Sequence, residues 1–170
     1  MMRSVMMFHL ITLLGQATSC PVDPPNNNLA LHGKATQSNQ AENLYGHASN
    51  AIDGNRQSDF FHGSCTHSEK EANPWWRVDL LKNYQIHSVV ITNRGDCCSD
   101  RLNGAEIRIG DSLNNNGINN PRCAVIHSIP VGGTSSFSCN GMKGRYVTVV
   151  IPGYNKILTL CEVEVYASCQ

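Results

Sequence analysis

The chain lacks an excess of charge of either sign, because thirteen lysines and arginines balance thirteen aspartates and glutamates among 170 residues. A protein without a basic field is not expected to bind nucleic acid or anionic membranes. Beyond the N-terminal region, no stretch is apolar over the roughly 18 residues that a membrane-spanning helix needs. No segment keeps the period of about 3.6 residues typical of an amphipathic helix. Membrane insertion and a helical fold are therefore not expected.

Common catalytic and metal motifs are absent from the sequence as well. It contains no Cys-x-x-Cys pair, no His-Glu-x-x-His helix and no nucleophile elbow, which argues against zinc ribbons, thioredoxin-like sites, metalloproteases and hydrolases. Glu162 and Glu164 could form a glycosidase pair, but they share one face of a predicted strand. We therefore expect a binding protein and not an enzyme.

The N-terminal region is typical of a secretory signal. Arg3 provides a positive charge, residues 5–14 are mostly apolar, and small residues at 17–19 suit cleavage before Cys20. Residues 1–19 are therefore predicted to be a signal peptide, which makes the mature protein secreted. Residues 20–27, rich in Pro and Asn, predict an extended lead-in, and residues 28–170 predict a single domain.

Eight cysteines in an exported chain predict a disulfide framework, whose pairing the sequence alone does not determine. Cys97 and Cys98 are adjacent. Their Cα atoms, about 3.8 Å apart across a trans peptide, are closer than the roughly 4.4–6.8 Å usual in disulfides. The two residues either form a small strained ring or pair with cysteines elsewhere.

Apolar and polar residues alternate with a period of two in residues 76–80, 105–109 and 161–167. Residues 86–92 are almost continuously β-branched, which predicts a strand buried on both faces, and residues 29–38 predict a first short strand. The alternation, broken often by Gly, Pro and Asn, is typical of an all-β sandwich.

A polar stretch interrupts these strands at residues 93–101, where Arg94, Asp96 and Arg101 surround the cysteine pair. Such a segment is expected to form a loop on a rigid scaffold, where binding residues often lie. Arginine presents a rigid fork of donors that can bridge neighbouring oxygens of a sugar. His67 lies upstream and could complete such a site.

The order and spacing His67-x26-Arg94-x-Asp96-x4-Arg101 resembles the signature of the F-type lectins, the fucose-binding lectins best known from eel serum (fucolectins). The resemblance extends over roughly residues 28–168 and implies a discoidin-like (F5/8 type C-like) β-sandwich jelly roll. Other matching motifs are Asn50-Ala51-Ile52-Asp53-Gly54-Asn55, His62-Gly63-Ser64-Cys65, Asn73-Pro74-Trp75-Trp76-Arg77-Val78-Asp79-Leu80, Cys139-Asn140-Gly141-Met142-Lys143-Gly144-Arg145 and Cys161-Glu162-Val163-Glu164-Val165-Tyr166.

The resemblance implies a binding site for terminal α-L-fucose, in which His67, Arg94 and Arg101 donate or accept hydrogen bonds. Asp96 is expected to orient an arginine. The resemblance also favours a Cys97–Cys98 bond, whose sulfur face packs against the sugar and which holds the arginines in place. The fucose methyl group needs an apolar wall, for which Phe60 and Phe61 are candidates, although both could equally be core residues.

The same resemblance pairs Cys65 with Cys161 and Cys123 with Cys139. Cys20 and Cys169 then remain, and because chain ends often lie close together we expect a Cys20–Cys169 bond. An intermolecular bridge is the alternative.

A calcium site is also implied by the resemblance, since hard oxygen ligands suit Ca²⁺. Its role would be to hold the loop before Cys65 in place. The alternative is an Asn/Asp-Gly turn without metal. The implied ligands, some through backbone oxygen, are Asn50, Asp53, Asn55, Ser64, Cys161 and Glu162.

Together these features predict a secreted, calcium-stabilised lectin for fucosylated glycans, with a role in innate defence and agglutination. Weak single sites favour a homo-oligomer, and the resemblance suggests a trimer. Arg94-Gly95-Asp96 also spells an integrin-recognition tripeptide, so a cell-adhesion ligand on the same fold is the competing hypothesis.

Overall fold

The computed structural model describes residues 27–41 and 45–169. The predicted signal peptide, residues 20–26 of the lead-in and Cys20 lie outside these ranges. Within them, no helix has the length and apolar character needed to cross a membrane.

The described residues form six β-strands joined by loops and short 3₁₀ helices. The strands are β1 (Lys34–Gln37), β2 (Trp75–Thr92), β3 (Ala105–Gly110), β4 (Arg122–Ile126), β5 (Thr134–Val150) and β6 (Glu162–Cys169). The 3₁₀ helices are Leu29–His32, Ala48–Ile52, Phe60–His62, Ser99–Leu102 and Asn114–Gly117.

The long strands β2 and β5 each contribute to both layers of the fold. The first part of β2, residues 75–79, pairs with β1 and with the end of β5, which continues through β3 to β4. After an irregularity between Asp79 and Tyr84, the remainder of β2 pairs with the beginning of β5 on one side and with β6 on the other. All these pairings are antiparallel. The predicted all-β sandwich is confirmed.

One hydrophobic core unites the two layers. Trp76, Val78 and Leu80, predicted to share a face, are all buried, as are Val163 and Val165 of β6. Full burial of each aliphatic side chain contributes about 1.5–3 kcal/mol relative to exposure. The Trp76 indole also donates a hydrogen bond of 2.9 Å to the Ala48 carbonyl, so the core fixes the loop that follows β1.

Several sequence-based expectations need correction. Residues 29–38 do not form one strand, because Leu29–His32 is a 3₁₀ helix and β1 spans only Lys34–Gln37. Residues 86–92 alternate instead of being buried on both faces: His87 is exposed and Val90 only half-buried. One face of this part of β2 lies toward the core and the other is only partly covered. Strand β4 and the first half of β5 were not predicted.

The structure contains the Cys65–Cys161, Cys97–Cys98 and Cys123–Cys139 disulfides. Cys65–Cys161 links the loop before His67 to the residue that precedes β6, and Cys123–Cys139 links β4 to β5. The Cys20–Cys169 bond stays a prediction, since Cys20 lies outside the described residues.

Candidate functional site

Hydrogen bonds to neighbouring segments hold the loop that follows β2 in place. Asn93 is fully buried, and its side-chain amide donates hydrogen bonds of 2.9 Å to the carbonyls of Ser99 and Ile129. The backbone N–H of Gly95 donates to the Ser58 carbonyl at 2.8 Å. A Cβ atom at Gly95 would collide with the Ser58 side chain, so this close approach requires glycine. The arginines therefore extend from a rigid loop.

Arg94 and Asp96 form a two-pronged ion pair. The Arg94 Nε and Nη2 atoms donate to the two Asp96 carboxylate oxygens at 2.9 and 2.6 Å. The Phe60 N–H also donates to Asp96 Oδ1 at 2.9 Å. The Arg94 hydrogen bonds are the main reason that the pKa of Asp96 falls to about 2. Asp96 therefore fixes the plane of the Arg94 guanidinium.

The same contacts argue against the integrin hypothesis. Arg94 is only 5% exposed, and its guanidinium is bound to Asp96, the other charged residue of the tripeptide. An adhesion ligand would need both charged groups free for a receptor. In this loop the charges of the tripeptide bind each other.

His67 and Arg101 meet across the site. Arg101 Nη1 donates to His67 Nε2 at 3.2 Å, while His67 Nδ1 lies 2.8 Å from the Ser68 carbonyl. The Ser68 carbonyl can only accept, so the imidazole proton resides on Nδ1 and Nε2 presents a lone pair. Burial, and then the charges of Arg101 and Arg94, lower the pKa of His67. The imidazole is therefore neutral at physiological pH.

The vicinal disulfide separates the two arginines. Cys98 has a left-handed backbone (φ 58°) and precedes the 3₁₀ helix Ser99–Leu102. The Arg101 N–H donates to the Cys98 carbonyl at 3.1 Å. The Cys97–Cys98 ring and this short helix therefore set the position of Arg101 relative to Arg94.

The two candidate phenylalanines occupy different environments. Phe60 is 6% exposed and packs with the Cys65–Cys161 disulfide. Its ring lies 4.4 Å beneath the Arg94 guanidinium carbon and 5.4 Å from the His67 ring centroid. Core packing, the alternative considered from sequence, therefore holds for Phe60. Phe61 is 70% exposed and stays a prediction for the methyl wall.

A second charged cluster surrounds Glu162, the first residue of β6. Glu162 is 1% exposed, its Oε1 accepts from the Gly54 N–H at 3.2 Å, and its Oε2 has no hydrogen-bond partner among the described residues. Burial, and then the charge of Asp53, raise the pKa of Glu162 to about 8. Nothing in the sequence indicated this shift.

Among the other residues predicted to bind calcium, Asp53 interacts with Glu162, and hydrogen bonds tie Asn50, Asn55 and Ser64 to neighbouring loop residues. Asn55 Nδ2 donates to Ser64 Oγ at 3.3 Å, and Asn50 Nδ2 donates to the Cys65 carbonyl at 3.1 Å. Asp53 Oδ1 accepts from the Asn55 N–H at 2.8 Å. No group of three His, Cys, Asp or Glu residues suited to a metal occurs in the described chain, but the predicted set consists mainly of amide, hydroxyl and carbonyl oxygens. An unpartnered buried carboxylate oxygen beside a second carboxylate fits a hard divalent cation.

Sequence reasoning missed two supporting features of these clusters. Asn93, the buried amide that holds the sugar-side loop, precedes Arg94 at the end of a β-branched run, a position that could have marked it. Arg56 forms an ion pair with Glu164, which also accepts a hydrogen bond from the Tyr166 hydroxyl. Residues separated by more than a hundred positions gave no sequence signal for that contact.

The fold and the motif residues together define a class of protein. The family model described as a NedA-like, galactose-binding domain of the F5/F8 type C group matches residues 50–149, so the chain is a discoidin-like β-sandwich domain. Fucolectin-4 of Anguilla japonica is 61% identical over 144 residues, which cover 82% of this chain and 79% of the relative. The chain belongs to the fucolectin family of F-type lectins.

Solved structures agree with this assignment. An F-lectin (fucolectin) from striped bass (Morone saxatilis) serum has a TM-score of 0.82 and 59% identity over 85% of this chain, which spans 48% of that chain. The lectin domain of lectinolysin complexed with Lewis b antigen has a TM-score of 0.72 and 32% identity, covering 86% of this chain and 100% of that one. Lectins are carbohydrate-binding proteins without catalytic activity, which agrees with the expectation that the chain is not an enzyme.

Proposed function

We propose that the chain binds terminal α-L-fucose on glycans through His67, Arg94 and Arg101. The observation on which this proposal rests is the fixed geometry of these three side chains. Arg101 donates to the neutral His67 imidazole, and Arg94 is held by Asp96 on the same disulfide-braced loop.

This arrangement suits a neutral ligand that bears hydroxyl groups. A hydroxyl both donates and accepts hydrogen bonds. In the bound state a sugar hydroxyl would replace Arg101 Nη1 as the donor to His67 Nε2, while the released guanidinium N–H groups would donate to that oxygen and its neighbours. The sulfur face of Cys97–Cys98 and the exposed ring of Phe61 offer apolar contact to the sugar ring and to its methyl group. Rigid side chains reduce the entropy lost on binding.

The relatives support the choice of ligand. The similar eel proteins are fucolectins by name, and the lectinolysin domain was solved with the Lewis b antigen. This chain presents its own histidine and two arginines in one constellation, and we therefore assign it the same ligand class.

Calcium belongs to the proposal as a structural ion. Asp53 and Glu162 would supply carboxylate oxygens, and Asn50, Asn55, Ser64 and Cys161 would supply side-chain or backbone oxygens. Bound calcium offsets the repulsion between the two carboxylates and holds the loop that leads to Cys65 and His67. It makes no contact with the sugar in this proposal.

The setting we propose is extracellular. The signal-like residues 1–19 support secretion, and the similar F-lectin was obtained from striped bass serum. A single shallow sugar site binds weakly, so agglutination of cells or coating of microbes requires several linked sites. We therefore propose a homo-oligomer, with a trimer as the expected form, that acts in innate defence.

A glycan-array screen with free L-fucose as the competitor tests the proposal. Retention is expected on glycans that end in fucose and should be lost with excess L-fucose. A profile without preference for fucosylated glycans would contradict it.

Arg101→Ala tests the assignment of the site, and Arg122→Ala is a matched control. The Arg122 side chain is half-exposed and binds Glu106 on β3. Loss of a charged donor in the site should cost about 2–5 kcal/mol of binding free energy, measured by titration calorimetry. Circular dichroism should show an intact fold in both variants. A folded Arg101→Ala protein that retains wild-type affinity would move the site elsewhere.

A further inference from the structure

A cleft of about 340 Å³ lies at the beginning of β2, where the loop between β3 and β4 approaches the strand. Because Trp76 is fully buried in the core, its neighbour Trp75 lies on the opposite, outward face of the strand. We propose that this cleft is a second carbohydrate site, for a neutral pyranose unit whose hydroxyl groups are equatorial. The lining residues are Ala72, Asn73, Trp75, Asn115, Asn116 and Ile118.

The cleft and the fucose site are separate. They share no residue, and the cleft does not depend on the proposed function. Trp75 begins β2, whereas Arg94 follows the end of the same strand. A chain with both sites would hold two sugar units at once, and a single protomer could then link two glycans.

Arg77 fixes the width of the cleft. Its guanidinium carbon lies 5.0 Å from the centroid of the Trp75 ring, and its Nη1 donates to the Asn116 carbonyl at 2.9 Å. Gly117 lets the loop approach the sheet closely, since its φ is 85° and a Cβ atom there would lie 2.7 Å from Thr148 Oγ1. The ring and the loop are therefore held at a set separation, which lowers the entropy cost of binding.

Polar groups without protein partners surround the ring. In the described parts of the chain, the indole N–H of Trp75 makes no hydrogen bond, and it is not buried. Asn73 Oδ1 accepts from the Gly153 N–H at 2.8 Å, which leaves Asn73 Nδ2 free. The Asn116 side chain is exposed and unpaired within the same ranges. Since no lining residue is charged, the cleft suits a neutral ligand with hydroxyl groups.

The half-buried indole indicates the kind of sugar. A pyranose with equatorial hydroxyls presents only C–H groups on its two faces, and such a face packs on an aromatic ring. Its hydroxyls, at the ring edge, then reach donors and acceptors such as the indole N–H and the amides. Ala72 and Ile118 add apolar surface at the cleft. β-D-Glucose and N-acetyl-β-D-glucosamine units have this geometry.

The three asparagines of the cleft share a left-handed backbone. Their φ angles are 51° for Asn73, 49° for Asn115 and 56° for Asn116. Asparagine visits this conformation more readily than most residues, and glycine adopts it at no steric cost. Substitution by glycine therefore removes a cleft amide while keeping the turn that carries it.

Asn116→Gly tests the site, and Asn140→Gly is the matched control. Asn140 is also an exposed asparagine with a left-handed backbone (φ 52°), in a turn of β5 that does not line the cleft. The backbone carbonyl that accepts from Arg77 remains in Asn116→Gly. Loss of the amide should weaken binding of the sugar about fivefold, and the control should bind as the wild type does.

The two tryptophans of the chain provide the measurement. The Trp76 indole is buried and bonded to the Ala48 carbonyl, so the Trp75 indole N–H gives a separate NMR signal. With the fucose site saturated by methyl α-L-fucoside, methyl β-D-glucoside and its N-acetylglucosamine analogue are titrated to about 20 mM. That concentration nearly saturates a site with a Kd of about 1 mM. The Trp75 signal should shift with at least one of the two sugars, and the Trp76 signal should not.

The outcomes separate this inference from the proposed function. A saturable Trp75 shift that Asn116→Gly weakens and Asn140→Gly preserves supports the second site. No shift with either sugar, or wild-type affinity in Asn116→Gly, overturns it and leaves the fucose site in place. Affinity for methyl α-L-fucoside, measured separately, reports on folding, and if Asn116→Gly has lost it, Asn115→Gly decides by the same titration. Wild-type protein that ignores the fucoside but shows the Trp75 shift would overturn only the proposed function.

Discussion

Two clusters of charge are built around the Cys65–Cys161 disulfide, and they balance their charges in opposite ways. In the sugar-side cluster, the buried Arg94 is matched by Asp96, and the pKa of Asp96 falls to about 2. In the carboxylate cluster, Glu162 faces Asp53, and its pKa rises to about 8. Phe60 joins the first cluster to the disulfide, and Cys161 directly precedes Glu162.

The difference shows which cluster is complete within the protein. Opposite charges with good hydrogen-bond geometry offset the cost of burial, whereas a second carboxylate nearby raises the cost of burying a charged one. The sugar-side cluster is preorganised by its own ion pair and needs neither a bound ion nor an added proton. The carboxylate cluster gains stability from a proton on Glu162, and in the proposed function calcium takes the place of that proton.

Removing one charge from each cluster should give the largest difference between the clusters in the free energy of unfolding. Asp96→Ala leaves Arg94 buried without its partner and should lower the free energy of unfolding by about 3–5 kcal/mol. Asp53→Asn, measured without calcium, should be neutral or stabilising because it removes the repulsion on Glu162. Urea denaturation of both variants measures the two effects. Equal destabilisation by the two substitutions would erase the distinction between the clusters.

Calcium should act on the carboxylate cluster alone. With free Ca²⁺ at about a hundred times its dissociation constant, the native state should gain about 2.7 kcal/mol and melt at a higher temperature than with a chelator. Glu162→Gln should abolish the response, whereas Glu69→Gln, a half-buried loop control outside the predicted ligand set, should keep it. Differential scanning calorimetry at neutral pH makes the measurement, and an unchanged transition in wild type would count against the ion.

The two clusters should respond to pH in opposite directions. The pKa of Asp96 is lowered from 3.8 to about 2. The contribution of ionised Asp96 to the free energy of unfolding is therefore complete above about pH 4 and is lost as pH falls through 2. It amounts to about 1–2 kcal/mol after allowance for partial solvent screening. Because the pKa of Glu162 is raised from 4.5 to about 8, the stability of its protonated form is complete below about pH 4.5 and is lost as pH rises through 8.

Denaturation midpoints between pH 2 and 9 would test this pH dependence. Chelated protein should be most stable in mildly acidic buffer, and calcium should remove the alkaline decline. Asp96→Asn should flatten only the acidic side of the curve of stability against pH. An alkaline limb that is the same with and without calcium would disconnect Glu162 from the ion.

The smallest expected effect separates the exposed part of the sugar-side cluster, Phe61, from its buried part, Phe60. Phe61→Ala removes an exposed ring and should weaken fucose binding by about 1 kcal/mol with little change in stability. Phe60→Leu alters the buried ring beneath Arg94 and should lower the melting temperature first. Calorimetric titration and thermal melts of both variants make the comparison. Wild-type affinity in Phe61→Ala would remove this residue from the proposed methyl wall.

Much of this architecture could be predicted from sequence, because apolar alternation directly reflects the core of a sandwich. Val163 and Val165 are buried as their period of two predicts. The same period would expose Glu162 and Glu164, yet they are 1% and 5% exposed. Alternation assigns a residue to a face but does not show what covers it. Here Gly54 and Arg56, from a loop more than a hundred residues earlier, bind the two carboxylates.

In the candidate site, too, the sequence predicted which residues take part but not how tertiary contacts arrange them. The positions of His67, Arg94 and Arg101 were predicted from the family motif. Their mutual geometry depends on Asn93, Ser58 and the placement of Phe60, which are tertiary contacts without a local signature. For the same reason, sequence could not separate the buried Phe60 from the exposed Phe61.

The passage of β2 and β5 through both layers also has a consequence for how the chain folds. Strand β2 pairs with β5 and with β6, and the Cys65–Cys161 bond spans 96 residues. Chains dominated by such distant pairings fold slowly, in about milliseconds to seconds. During synthesis, the carboxylate cluster cannot assemble until Glu162 has left the ribosome. Until β6 has been synthesised, the edge of β2 that pairs with it stays exposed. Pairing of β6 is therefore expected to be a late step in folding.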